Sequence, residues 1–293
     1  MKVRISDGPL IVEADTLGAE MVSVRAGDKE WLWQNENGQW AGHAPVLFPV
    51  CGNCALIEGG REYLVGRHGF ARKSMFTLKE QKPNSVCFEL RSSENTREKF
   101  PYEFIFRVRY RLRGTRLRIT YEIENPSQGE LYFSCGGHES FVLDDPLGEY
   151  GLRFSRQEKF CALLHDSEGR LTGERADFGE GTYFPFPEEF LSEGRTVIFG
   201  GLQSRKAYLV HRGQIAAAIT FRDFENLLLW RVGNSQMICI EPWHNLPDGD
   251  KVGEFSKREG IICVPAYAKQ KFTREIVYRV EWSATEKSDR RKT

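Results

Sequence analysis

The stretch Arg107-Val108-Arg109-Tyr110-Arg111-Leu112-Arg113, followed after Gly114-Thr115 by Arg116-Leu117-Arg118, decides the fold. Cations and apolar side chains alternate in it without a slip. Successive side chains of a strand point to opposite faces. The period of two therefore puts the arginines on one face and Val108, Tyr110 and Leu112 on the other. That is an antiparallel strand with one solvated and one buried face. A row of arginines invites a phosphate or RNA reading. Glu122, Glu124 and neighbouring acids balance it, so we read a solvated sheet face.

The pattern extends in both directions. Residues 74–79, 85–91, 103–113 and 116–124 read as a meander. Upstream, residues 3–6 and 10–14 are strands joined at Asp7-Gly8, a hairpin turn signal, and strands follow at 19–25, 30–33 and 62–65. Residues 35–42, with Trp40, are a polar loop. Residues 44–50 carry two prolines and suit an extended segment at a sheet edge. Downstream, strands are expected at 131–143, 151–164 (as a pair), 195–199, 206–211, 214–221, 227–232, 237–240, 261–264 and 273–282. Residues 165–187, rich in glycine and proline, read as loop, and 188–191 as one helical turn. No helical period persists, and about eighteen to twenty strands at roughly 8–12-residue spacing make the chain all-β. We expect one large antiparallel β-sandwich domain over residues 1–282, its sheets folding around a groove. Residues 283–293 are polar and charged and are expected to be a disordered tail.

The 293 residues carry 41 Lys+Arg against 41 Asp+Glu. Zero net charge argues against a nucleic-acid or anionic-membrane surface as the main business of the chain. No apolar run approaches the ~20 residues of a membrane span. Residues 1–8 show no signal-peptide core, so the expected compartment is the cytoplasm. The seven cysteines are an odd number, and several lie in apolar runs. They read as buried reduced thiols. Cys51-Gly52-Asn53-Cys54 has the spacing of half a zinc site. No second pair completes it, so no metal and no cofactor are expected.

Three polar residues interrupt apolar or glycine-rich strands. Glu241 ends Met237-Ile238-Cys239-Ile240, beside Pro242, which cannot donate to a ladder, and Trp243, which offers a flat apolar face. A carboxylate so placed is a candidate base with a raised pKa. A strand-end Glu facing water is the plainer alternative. His68 precedes Gly69, and His138 follows Gly136-Gly137. Glycine lets a backbone or a ligand come close. A lone histidine there ordinarily bonds a carbonyl, and three such interruptions together ask for chemistry.

His68-Gly69-Phe70-Ala71-Arg72, Gly136-Gly137-His138 and Ile240-Glu241-Pro242-Trp243 before Leu246-Pro247-Asp248 resemble the motifs of the aldose 1-epimerase (galactose mutarotase) family. The resemblance is closest to its LacX-like branch. It extends to Gly18-Ala19-Glu20, Leu32-Trp33, residues 45–52 and Leu229-Trp230, in the right order over almost the whole chain. It implies the galactose-mutarotase β-sandwich and a small-molecule sugar partner. Glu241 would take the anomeric hydroxyl proton, His138 would protonate the ring oxygen, and His68 would hold the ring oxygen and neighbouring hydroxyls. Arg72 and Asn53 would meet sugar hydroxyls, with Arg72 pairing a core carboxylate to hold its loop as the alternative, and Trp243 and Trp230 would stack on the pyranose or simply pack the core. The implied reaction, interconversion of α and β anomers of a hexose, needs one acid and one base and neither metal nor nucleotide.

The departures fall on the sugar-binding side. Asn53 stands where many relatives carry Arg, Glu139 where they often carry Pro, Arg195-Thr196-Val197 in place of an Asp-Ala-Leu-type segment, and His244-Asn245 in place of an aromatic-Gly pair. Three further readings follow. One is a non-catalytic carbohydrate-binding or regulatory protein on the same fold. Another is a hexose-6-phosphate 1-epimerase, for which Arg67, Arg72 and Arg231 are the candidate cations. The third is a glycan-cleaving enzyme, which would need a carboxylate pair. Oligomeric state is left open by the residues.

Overall fold

The computed structural model describes residues 1–35 and 38–280. The expected tail at 283–293 lies outside the described residues.

The deciding hairpin forms as its alternation dictates. Ile105–Arg113 and Arg116–Glu124 pair antiparallel in unbroken register, from Ile105 opposite Glu124 to Arg113 opposite Arg116. Val108, Tyr110 and Leu112 are fully buried. On the wet face Arg107 holds Glu89, Glu122 and Glu124 at 2.7 Å each, and Arg109 holds Glu80 at 2.6 Å. This half of the arginine row is thus neutralised within the sheet.

The hairpin belongs to an antiparallel sheet of fifteen strands. One end of that sheet is Val46–Leu47, followed by Gly136–Gly137, Met237–Trp243 and Asn226–Trp230. The other end is Ile105–Arg113, Ser85–Arg91 and Thr77–Lys82. The two ends meet. Phe48, beside the first end, stacks on Phe106 of the other at 4.5 Å between ring centroids. Phe70, Phe100, Phe104 and Phe133 surround Phe48 with centroids within 6.2 Å. The two layers expected from sequence are therefore halves of one sheet folded over a shared aromatic core. The strands Lys2–Asp7, Leu10–Asp15, Met21–Ala26 and Lys29–Glu30 make a separate four-stranded sheet.

The structure corrects four local expectations. Residues 165–187 are not a loop, because Leu171–Pro185 is a strand of 15 residues. It pairs with Tyr150–His165 through three register shifts. Most of its side chains are exposed, so it carries no apolar alternation, and its glycines sit inside the strand. Tyr150–His165 is a single strand, not a pair. Residues 131–143 divide into Leu131–Phe133, Gly136–Gly137 and Glu139–Val142. Pro242 does not end its strand, which runs Met237–Trp243. The edge position of residues 44–50 and a short helix at Glu188–Ser192 agree with expectation. All seven cysteines are unpaired.

Candidate active site

Strand register brings the acid–base candidates together. Gly136 pairs with Trp243, and Glu139 pairs with Ile240. Carrying that register through the gap sets Gly137 opposite Pro242 and His138 opposite Glu241. Pro242 has no N–H for the ladder, and the Gly137 carbonyl instead accepts the Trp243 indole N–H at 3.3 Å. A proline is tolerated in mid-sheet where the ladder is open. Residues directly opposite in an antiparallel pair lie side by side. Accordingly His138 Nε2 stands 3.3 Å from Glu241 Oε2.

His68 arrives from a different part of the chain. It adopts φ +63°, a left-handed conformation uncommon outside glycine. Its N–H donates to the Gly52 carbonyl at 2.9 Å, and its Nδ1 accepts the Gly52 N–H at 3.0 Å. With Nδ1 an acceptor, the neutral ring carries its proton on Nε2. The next residue must be glycine. A Cβ on Gly69, at φ +71°, would stand 2.1 Å from the Phe48 carbonyl oxygen. The His68 and His138 rings meet edge-on at 5.5 Å, and Trp243 lies 5.3 Å from His68.

These side chains line a cavity of about 230 Å³, with Trp40, Arg67, Arg72, Thr196 and Trp230 completing its wall. Trp40 stacks on the His138 ring at 5.3 Å, and Trp230 meets that ring edge-on at 5.8 Å. Two larger grooves, of about 720 and 710 Å³, lie on the arginine face, and neither is lined by a histidine.

Burial governs the electrostatics. It raises Glu241 well above the usual carboxylate range, Glu139 adding to the effect and Arg67 opposing it. It pushes His138 down to about 3, with Arg72 and Arg67 lowering it further. It also holds His68 well below its ordinary value, helped by His138, Arg67 and Arg72. Both members of the facing pair are thus biased towards their neutral forms. Desolvation of His138 outweighs the backbone hydrogen bond that would favour its charged form.

His138, Cys239 and Glu241 place donor atoms within 4.8 Å of one another, the one such set with metal-ligating residues among the described residues. The Cys239 thiol is pushed well up by burial, then by Glu241 and Glu139, which disfavours the thiolate a metal requires.

Of the residues singled out from sequence, His68, His138, Glu241, Arg72, Trp230 and Trp243 converge on the cavity. Asn53 does not. Its side-chain amide donates to the Glu168 carbonyl, outside the cavity lining. Of the cations named for a phosphate, Arg67 and Arg72 line the cavity. Arg231 is buried elsewhere and donates to the Ser235 carbonyl at 2.8 Å. Sequence reasoning missed Trp40 and Thr196. A tryptophan in a polar, glycine-rich loop was the available signal for Trp40. Thr196 sits in one of the departing segments and carried none.

Residues 1–259 match the family model described as aldose 1-epimerase. The chain belongs to the aldose 1-epimerase family. Within reach of this family's sequences, the chromosomal LacX protein of Lactococcus lactis subsp. lactis is 30% identical over 264 residues, covering 84% of this chain and 88% of the relative. A protein of Escherichia coli provisionally named a glucose-6-phosphate 1-epimerase is 30% identical over 139 residues, 44% of each chain. The solved structure of a galactose mutarotase related enzyme from Lactobacillus acidophilus superposes with a TM-score of 0.87 at 24% identity. That superposition covers 97% of this chain and 99% of that one, and the fold is the galactose-mutarotase-like β-sandwich.

Proposed function

We propose that the protein is an aldose 1-epimerase that interconverts the α and β anomers of a hexose by acid–base ring opening and closure. The observation that carries this reading is the Glu241–His138 contact at 3.3 Å, facing His68 across one cavity. Mutarotation moves one proton onto the ring oxygen and takes one from the anomeric hydroxyl. A pair holding a single proton between them supplies both. Burial favours that proton on Glu241 over His138.

In the direction implied by the family motifs, the proton first crosses to His138, leaving a carboxylate that Arg67 favours. Glu241 then takes the proton of the hydroxyl on C1. The C1–O5 bond breaks, its electron pair goes to O5, and O5 takes the proton from His138. Rotation about C1–C2 presents the other face of the aldehyde, and closure reverses each transfer. His68, with its proton on Nε2, is a neutral donor to a sugar oxygen. Trp40, Trp230 and Trp243 supply apolar walls for the ring. Removal of water by these walls strengthens each of these contacts.

The test is a freshly dissolved pure anomer followed by polarimetry or NMR. Added protein should speed equilibration above the buffer rate, and a rate equal to buffer for every common hexose would sink the proposal. The pH profile is a second expectation. The active pair holds one proton. A second binds only near the His138 value of about 3, and the last leaves only above the raised Glu241 value. As pH rises through that upper value, kcat/KM should fall. It reports the pair, not either residue alone. A rate that climbs steadily with pH would contradict the one-proton scheme.

A phosphorylated hexose is a second reading, favoured by Arg67 and Arg72 on the cavity wall with no acidic side chain but Glu241 among its lining residues. Arg67→Ala should then lower kcat/KM for a hexose 6-phosphate by about 10–100-fold, the value of a charge-assisted hydrogen bond. The free hexose should lose less, only what Arg67 contributes by favouring the Glu241 carboxylate. Equal losses on both substrates would favour the unphosphorylated sugar.

A further inference from the structure

Glu139, directly after His138, is buried with 2% of its side chain exposed, and so is Arg274, its ion-pair partner. Arg274 comes from the strand Lys269–Tyr278, which pairs with Arg116–Glu124 in the far half of the folded sheet. Its second terminal nitrogen donates to the Tyr121 hydroxyl at 2.7 Å. Strand alternation turns Gly137 and Glu139 to one face and His138 to the other. On that inner face a Cβ at Gly137 would lie 2.3 Å from the Arg274 guanidinium carbon. Arg274 therefore lies against Gly137 while it grips Glu139, the two chain neighbours of His138. The Gly137 carbonyl is also the acceptor for Trp243. One cation thus spans both layers and holds the strand that carries one catalytic candidate, opposite the strand that carries the other.

We propose that the Arg274–Glu139 pair is a positioning device that fixes His138 against Glu241 and sets the charge behind them, a role that rests on the mutarotase reading above. A buried ion pair is a costly way to stabilise a fold, and this one stands immediately beside the proposed acid–base pair. The charges and titratable groups around it are few. Glu241 is faced by His138, Arg67, Cys239 and Glu139. The Arg274–Glu139 pair is faced by the hydroxyls of Tyr110, Tyr121 and Tyr278, and Arg274 also by the Cys135 thiol. Guanidinium does not deprotonate in proteins. Glu139→Gln therefore removes a carboxylate that raises Glu241 and leaves the Arg274 cation uncompensated, and the last proton of the Glu241–His138 pair should leave at lower pH.

The experiment compares wild type, Glu139→Gln and the double variant Glu139→Gln/Arg274→Met. Anomer exchange gives kcat, KM and the alkaline limb, and NMR of the His138 imidazole gives a titration that needs no turnover. Glu139→Gln should lower kcat by about tenfold or more, since small misplacements are costly, with KM little changed. It should also move the alkaline limb down by about 1 unit. The double variant should restore only the part of the limb lost to the orphan cation, because the contribution of the Glu139 carboxylate to Glu241 stays lost, while kcat stays low. A merely structural pair would lower thermal stability and leave the limb in place. Should Glu139→Gln fail to fold, the double variant carries the kcat and NMR comparison with wild type. A folded variant with wild-type kcat, limb and His138 titration overturns the inference. If wild type fails to speed anomer exchange, the mutarotase reading falls, and the His138 titration alone decides whether the pair sets the charge behind it.

Discussion

Glu241→Gln should leave the protein folded and cut its acceleration of anomer exchange by roughly 10²–10⁴-fold, the usual worth of a general acid–base group. The substitution keeps the shape of a side chain that is 2% exposed. It removes the one carboxylate on the cavity wall. An amide cannot shuttle the proton that ring opening requires. Because burial already biases Glu241 towards its neutral form, the neutral amide should pack with little loss of stability. The measurement pairs polarimetry on a pure anomer with a thermal melt. A variant as fast as wild type would remove Glu241 from the mechanism.

Phe48→Ala should cost about 3–5 kcal/mol of stability, the range for removing a buried aromatic ring. Phe48 is fully buried and touches five other phenylalanine rings. It is where the two ends of the folded sheet meet. Its carbonyl also accepts the N–H groups of Phe70 and Ala71, both at 3.1 Å, which anchors the loop after His68. Urea unfolding should show the loss directly, and residual activity should fall faster than the folded fraction as His68 loosens. A loss under about 1 kcal/mol would mean that the aromatic cluster is not the joint between the layers.

The sheet was legible wherever one face is wet and the other dry. Arg116–Glu124 forms at the bounds its alternation indicates, and Ser85–Arg91, buried but for Arg91, at the bounds of its apolar run. It was illegible where both faces are wet. Leu171–Pro185 has one buried residue, Phe184, and is held by backbone pairing that leaves no mark in side-chain order. The site divides in the same way. His68, His138 and Glu241 stood out because each breaks an apolar or glycine pattern. Trp40 did not, since only the fold brings its ring onto His138. Asn53 was placed by its position in a motif, and the contact it makes is with a neighbouring loop.

The pairing of Gly136–Gly137 and Glu139–Val142 with Met237–Trp243 has a consequence for how this protein can change. The partnership of imidazole and carboxylate is written as an alignment between two ribbons, with no local motif containing both. Surface hairpins elsewhere can gain or lose residues freely. A single insertion or deletion in either ribbon would turn its functional group to the wrong side. Grafting one ribbon from a relative without the other risks the same fault, so the two must be exchanged together.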